Sequence, residues 1–210
     1  PKVEWIYPSN GMIYYGFQWN WSLTEPTGSL TILPSTNYEE YTLAGDIYMT
    51  AGEFLVKDGV KLNILGKCTI ERNWYAETAT VFTISKNATV NVAKGFTLPG
   101  DYNEHNPTLN LNGALNVRGN FTTGIRVGFK VNGPLNIGGN LTLQTNPSGS
   151  GVVTLDGNKK QTINGTFKNL VFKNTSEEGI ETSGTVTVTG TMDNQATNFG
   201  GMITLQKGRL

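Results

Sequence analysis

The chain of 210 residues contains few of the side chains that build disulfides, metal clusters or charged binding surfaces. Its single cysteine, Cys68, excludes an internal disulfide and a metal cluster made of several cysteines. Only 15% of the residues are charged, and 16 basic side chains balance 16 acidic ones. Because a neutral chain offers no basic surface for phosphates, we expect neither nucleic acid nor an anionic membrane surface as a partner.

Long apolar runs are missing as well. No run reaches the roughly 18 residues that suggest a membrane span, so we expect no membrane insertion. The first residues, PKVEW, lack the basic start and apolar stretch of a secretory signal. We therefore expect either a cytosolic protein or the mature or excised part of an exported one.

Glycine is abundant, at 26 residues, and part of it belongs to a repeat. The segment LNLNGALNVRGNF (residues 109–121) returns as FKVNGPLNIGGNL (residues 129–141), about 20 residues later. Weaker copies of the module apolar-Asn-apolar-x-Gly-x-apolar are LNILGKC, VNVAKGF and VTVTGTM. Apolar and polar residues alternate within each copy, which predicts strands with one face turned inward. This spacing suits one coil of a β-solenoid.

The turns before the strands favour the same architecture. Asn112, Asn132 and Asp156 are each followed by glycine and precede an apolar strand, and these residue types tolerate left-handed backbone. If coils stack, the turns stack too, so we expect a side-chain ladder along the axis that includes Asp156. The alternative is that each Asn-Gly forms a two-residue hairpin turn in an antiparallel meander.

The predicted fold class is all-β: a single-stranded parallel β-helix (β-solenoid) of about seven coils with an aromatic-rich N-terminal cap. Helices are not expected, because glycine and β-branched residues interrupt every candidate stretch. Cys68 aligns with the inward positions Phe121 and Leu141, which indicates a small buried apolar residue rather than a nucleophile.

Residues 41–70, YTLAGDIYMTAGEFLVKDGVKLNILGKCTI, resemble the opening coils of secreted bacterial right-handed parallel β-helix proteins. SGTVTVTGTM and NGPLNIGGNLTL are similar to coils of surface adhesins and autotransporter passengers. The resemblance covers roughly residues 41–205 and implies a secreted or cell-surface location. It does not imply one activity, because such coils occur in adhesins, phage tailspikes and polysaccharide-degrading enzymes.

The first 40 residues do not fit the module. We therefore divide the chain into an N-terminal aromatic cap or β segment (1–40) and a β-solenoid repeat domain (41–210). Alternate residues of IYYGFQWNW share one strand face, and the aromatic ones among them are Tyr15, Phe17, Trp19 and Trp21. This row of rings either packs onto the open end of the solenoid as a cap or forms a flat platform on which glycan rings stack.

An acidic segment, DYNEHN, places Asp101, Glu104 and His105 in the loop before the strong repeat. Glycosidases use two carboxylates roughly 5–10 Å apart, a separation that neighbouring coils can provide. The sequence does not single out a second acid as their partner. A cation held by these residues and a solvated loop without chemistry are the other interpretations. We therefore assign no catalytic residue, no metal ligand and no cofactor.

The leading functional hypothesis is a non-catalytic extracellular or cell-surface module, an adhesin or stalk that binds a polysaccharide or a host-surface glycan. One alternative is a polysaccharide-degrading β-helix enzyme or a phage-tailspike-like protein, for which carboxylates should converge on adjacent coils. Another is the subunit of an extracellular filament, because the last residues still read as coil. That end would then meet a second copy or a continuation of a larger chain.

Overall fold

The computed structural model describes residues 3–6, 21–23, 29–34, 40–72, 78–102 and 104–206. Over these residues the chain forms an all-β parallel β-solenoid of about eight turns, without helices. The predicted fold class, an all-β parallel β-solenoid, is confirmed, and the predicted coil count of about seven is close. Strands of successive coils pair in parallel, so the antiparallel meander is wrong. Within the described ranges, no helix is long and apolar enough to cross a membrane.

Three sheets run along the stack, and in the central coils each turn contributes one strand to each sheet. The first sheet contains β1 (Val3–Ile6), β3 (Ser29–Ile32), β6 (Glu53–Val56), β9 (Val81–Ile84), β12 (Thr108–Leu111) and β15 (Gly128–Val131). The second sheet contains β4 (Tyr41–Leu43), β7 (Lys61–Ile64), β10 (Thr89–Val92), β13 (Ala114–Val117), β16 (Leu135–Ile137), β18 (Val152–Leu155), β20 (Asn169–Phe172) and β22 (Met192–Asn194). The third sheet contains β2 (Trp21–Leu23), β5 (Ile47–Met49), β8 (Cys68–Ile70), β11 (Phe96–Leu98), β14 (Phe121–Thr123), β17 (Leu141–Leu143), β19 (Gln161–Phe167), β21 (Ile180–Val188), β23 (Phe199–Gly200) and β24 (Ile203–Leu205).

The core lies inside the coils and is built from every second residue of each strand. In β10, Val90 and Val92 are buried while Asn91 between them faces outward. Phenylalanine rings stack from coil to coil, with Phe121 5.2 Å from Phe96 and 5.3 Å from Phe129 between ring centroids. The alternation read from the sequence therefore sets which face of each strand is apolar, and the stacked rings tie neighbouring coils together.

Glycines occupy the corners because the backbones of adjacent coils meet there. A Cβ on Gly119 would lie 1.2 Å from the carbonyl oxygen of Lys94, and one on Gly133 would lie 1.9 Å from that of Gly113. No side chain fits at these distances. The recurring glycine of the module thus marks close approach between coils.

One predicted turn ladder is confirmed in part. Asn132 Nδ2 donates to Asn112 Oδ1 at 2.8 Å, so these two turns stack as expected. Asp156 was predicted to continue this ladder, and that is wrong. The first sheet ends at β15, followed only by an isolated bridge between Lys130 and Ser148, so the next coil is shorter. Asp156 consequently follows β18 and sits beside the end of β16, its N–H donating to the Ile137 carbonyl.

The direction of strand pairing changes at the N-terminal end of the first sheet. β1 runs antiparallel to β3, whereas β2 and β3 already pair in parallel with β5 and β6. Parallel pairing therefore extends to the N-terminal side of the predicted boundary at residue 41. The division into two domains remains a prediction.

Candidate ligand-binding groove on the second sheet

A row of asparagines runs along the outer face of the second sheet. These residues share one register position and lie between buried apolar residues of their strands: Asn63, Asn91, Asn116 and Asn136. All four side chains are partly buried. We call them the Asn row; it arises because the central asparagine of the module falls at the same position in β7, β10, β13 and β16.

The side chains of the Asn row form a hydrogen-bonded chain. Asn91 Nδ2 donates to Asn63 Oδ1 at 2.8 Å, and Asn116 Nδ2 donates to Asn91 Oδ1 at 2.8 Å. Asn136 Nδ2 then donates to Asn116 Oδ1 at 2.7 Å. All three bonds point the same way along the axis, so the amide dipoles are aligned and reinforce one another. Each amide retains a second N–H and a second oxygen lone pair for another partner.

Two adjoining depressions, with volumes of about 440 and 560 Å³, lie over the Asn row. Asn91, Asn116 and Arg118 line both, so the depressions form one continuous groove, which we call the Asn groove. Each volume is in the range of small-molecule and cofactor sites. The groove therefore runs along the solenoid axis across several coils and is not a single closed pocket.

An ion pair closes the N-terminal end of the Asn groove. Lys61 Nζ lies 2.6 Å from Glu40 Oε2, and both side chains are about half exposed. The hydrogen bond from Lys61, then the one from Asn63, lowers the pKa of Glu40 below its ordinary value. Glu40 thus accepts from the donating end of the amide chain, where a carboxylate is electrostatically favoured.

Asp156 occupies the opposite end of the Asn groove. By surface area the residue is exposed, yet the protein around its carboxyl removes enough water to raise the pKa. A backbone hydrogen bond and the charge of Lys173 act in the other direction but do not cancel this effect. The carboxyl is therefore in a less polar environment than a freely solvated one.

Arg118 lies between these ends, directly after β13 and before the corner at Gly119. Its backbone N–H donates to the Val92 carbonyl at 2.9 Å, which fixes the residue in the stack. The side chain is exposed, and across the part of the chain that the structure describes its guanidinium has no hydrogen-bond or ion-pair partner. It is a cation available to a ligand at the middle of the groove.

The aromatic residues predicted as a glycan platform are mostly outside the described ranges. Tyr15, Phe17 and Trp19 fall there, and Trp21 begins β2, where it pairs with Ile47. The platform and its alternative, an aromatic cap, both stay predictions.

The predicted acidic site lies away from the Asn groove. Asp101 pairs with Arg72, whose Nη1 is 3.1 Å from Asp101 Oδ1, and its backbone exchanges hydrogen bonds with the Asn106 side chain. Glu104 and His105 are exposed, and His105 has a left-handed backbone with φ of 63°. Asp101 therefore has a structural partner that holds the loop. In the described ranges, no three Asp, Glu, His or Cys side chains come together to hold a metal ion.

Cys68 is fully buried, as the sequence alignment predicted. Burial raises the pKa of its thiol, because the thiolate would lie in an apolar core. The residue packs in the register position of Phe96 and takes no part in surface chemistry.

The Asn row and Arg118 were not predicted as a site. The signal was present, since the module repeats its central asparagine in LNI, VNV, LNV and LNI. Recognising it required the register between coils, which the sequence repeat alone leaves open. Comparison with known proteins found no matching family model, no matching curated protein and no matching solved structure.

Proposed function

We propose that this chain is a non-catalytic module of a secreted or cell-surface protein, of the adhesin or stalk kind, and that it holds a glycan along the Asn groove. The observation that carries the proposal is the Asn row itself, a line of preorganised amides at the floor of a groove. The bacterial origin that the resemblance implies belongs to the same proposal.

The chemistry of the Asn row suits sugars. A hydroxyl group both donates and accepts, and each amide of the row keeps one donor and one acceptor for a ligand. The amides recur at the strand spacing of about 4.8 Å, so a linear glycan lying along the groove meets the same pair of groups repeatedly. Because the row is held by its own hydrogen bonds, little side-chain entropy is lost when the glycan binds.

Rigidity supports the stalk part of the proposal. The second and third sheets continue through the described coils with parallel ladders between successive coils, and stacked phenylalanines join the coils inside. Such a quasi-one-dimensional stack transmits force along its axis through backbone hydrogen bonds.

The carboxylates of the groove favour binding over hydrolysis. Among the described residues that line the groove, only Glu40 and Asp156 are acidic. They lie at β4 and β18, five strand spacings apart in the second sheet. Five spacings amount to roughly 24 Å. A glycosidase needs its two carboxyl groups within about 10 Å, so these two do not form an acid–base pair. The filament alternative stays a prediction.

The experiment incubates the purified chain with a panel of soluble and insoluble polysaccharides. Co-sedimentation or gel retardation measures binding, and the release of new reducing or unsaturated ends measures cleavage in the same samples. The test variant is the double substitution Asn91→Ala with Asn116→Ala. The control is Asn110→Ala, an outward, partly buried asparagine on the first sheet in the same coil as Asn116.

We expect binding of at least one polysaccharide, a loss of about tenfold or more in the double variant, and no change in the control. No new ends should appear. If the unaltered chain releases new ends, the protein is a polysaccharide-degrading enzyme and the proposal is wrong. If the double substitution does not change binding, the glycan does not bind in the Asn groove.

A further inference from the structure

Beside the Asn row runs a second row of residues, each placed directly after a strand of the second sheet. Its members occupy one register position, because the strand ends that precede them are paired or joined by backbone hydrogen bonds: Leu65, Ala93, Arg118, Gly138 and Asp156. We call this the corner row. Three of its members, Arg118, Gly138 and Asp156, line the larger depression of the Asn groove.

The corner row carries one positive and one negative charge, two coils apart. Two strand spacings put the backbones of Arg118 and Asp156 about 10 Å from each other, and the two side chains form no ion pair. The other charged pair of the groove, Glu40 with Lys61, is already engaged at the far end. Among the described residues that line the groove, Arg118 is therefore the cation without an acidic partner.

Gly138 leaves an opening between the two charges. Gly138 contributes no side chain to the depression, and it is a glycine because a Cβ here would lie 2.8 Å from the carbonyl oxygen of Arg118. The opening is bordered by the amides of Asn116 and Asn136. A ligand group that enters it reaches a guanidinium on one side and amide donors along its length.

A planar guanidinium binds carboxylate or sulfate groups through two parallel N–H···O bonds, which a neutral hydroxyl cannot match. Asp156, at the other end of the same opening, repels a second anion when ionised. The pair thus distinguishes one anionic substituent near Arg118 from a polymer that places negative charge along the whole groove.

We infer that the glycan bound in the Asn groove is anionic and presents a carboxylate or sulfate to Arg118, with Asp156 disfavouring dense charge. This inference rests on the proposed function, because it specifies the ligand of the same groove. It goes beyond it by naming the residue that selects the ligand and the residue that limits its charge density.

The experiment uses two matched pairs of polysaccharides. Polygalacturonate and its methyl ester share a backbone and differ in the carboxylate, and dextran sulfate and dextran differ in the sulfate. Affinity is measured by co-sedimentation or gel retardation for the full chain and for Arg118→Ala, Asp156→Asn and Arg126→Ala. Arg126 is the control, since it is an exposed arginine outside the groove, with its guanidinium over the Tyr102 ring.

We expect at least one charged probe to bind about tenfold or more tightly than its neutral counterpart. Arg118→Ala should abolish that preference, and Arg126→Ala should keep it. Asp156→Asn should strengthen binding of dextran sulfate, the more densely charged probe. Comparing the polygalacturonate pair with the dextran pair shows whether the chain recognises the carboxylate or the sulfate.

Equal binding of charged and neutral probes, lost in the Asn91→Ala, Asn116→Ala variant, would overturn the inference and leave the proposed function intact. A charge preference that Arg118→Ala does not change would also overturn the inference. Binding of no probe, or binding indifferent to both sets of substitutions, would contradict the proposed function as well.

Discussion

Replacing Asn116 by alanine removes the middle of the Asn row and tests whether its hydrogen bonds stabilise the stack. The side chain donates one bond, to Asn91, and accepts one, from Asn136, at 2.8 and 2.7 Å. A net value of about 0.5–1.5 kcal/mol per bond gives roughly 1–3 kcal/mol. Because the row is only partly buried and water can reach the orphaned groups, we expect a loss near 1–2 kcal/mol in the free energy of unfolding.

Urea unfolding followed by circular dichroism measures this loss, with Asn110→Ala as the matched control. Asn110 faces outward from β12 in the same coil but makes no side-chain hydrogen bond with the described residues. Its replacement should cost about 0.5 kcal/mol or less. The difference between the two variants isolates the row from general effects of replacing an outward asparagine.

A double-mutant cycle sharpens the test. Asn116 and Asn136 share a hydrogen bond, so their alanine substitutions should couple by about 0.5–1 kcal/mol. Asn63 and Asn136 are three strands apart in the second sheet, so their effects should simply add. If Asn116→Ala costs no more than Asn110→Ala, and Asn116 and Asn136 show no coupling, the hydrogen bonds of the Asn row do not stabilise the stack.

Other substitutions test the core, the corners and the acid of the groove. Phe121→Ala deletes a fully buried ring stacked on two others and should cost roughly 4–5 kcal/mol in urea unfolding. Gly119→Ala should cost about 3 kcal/mol or more, since its Cβ would collide with the Lys94 carbonyl, whereas Gly200→Ala, with open space around it, should be near neutral. The raised pKa of Asp156 means that its ionised form opposes folding. Asp156→Asn should therefore be more stable than the unaltered chain at pH 7, and the difference should vanish in thermal melts below pH 3.8, the carboxyl's ordinary pKa.

Much of the fold could be predicted because its rules are local. Period-two alternation in segments such as residues 109–121 identifies the strands and their inward faces, and repetition at coil length identifies the stack. The turn pairing of Asn112 with Asn132 followed from the same phase and is confirmed.

The predictions failed where coil length changes. VTVTGTM looked like another copy of the module, but Val186–Val188 pair with β19 in the third sheet, and the matching strand of the second sheet is β22. Asp156 was misplaced for the same reason, because the coil that contains it has only an isolated bridge in place of a first-sheet strand. When a coil shortens, residues of similar sequence shift to another corner.

The groove could not be predicted because it depends on register between distant segments. Arg118 and Asp156 share a row only because β13, β16 and β18 align residue for residue across coils of unequal length. The sequence shows both residues but not their alignment. The acidic loop was a candidate site instead because its residues are adjacent in sequence. In the structure, Asp101 pairs with Arg72.

A crystal structure of the chain with an oligosaccharide of whichever polysaccharide binds would show directly whether the Asn groove holds the glycan. We expect ligand density along the second sheet, with sugar hydroxyls hydrogen-bonded to Asn91 and Asn116. Ligand density on the aromatic N-terminal segment, or on the first or third sheet with the Asn groove empty, would contradict that expectation.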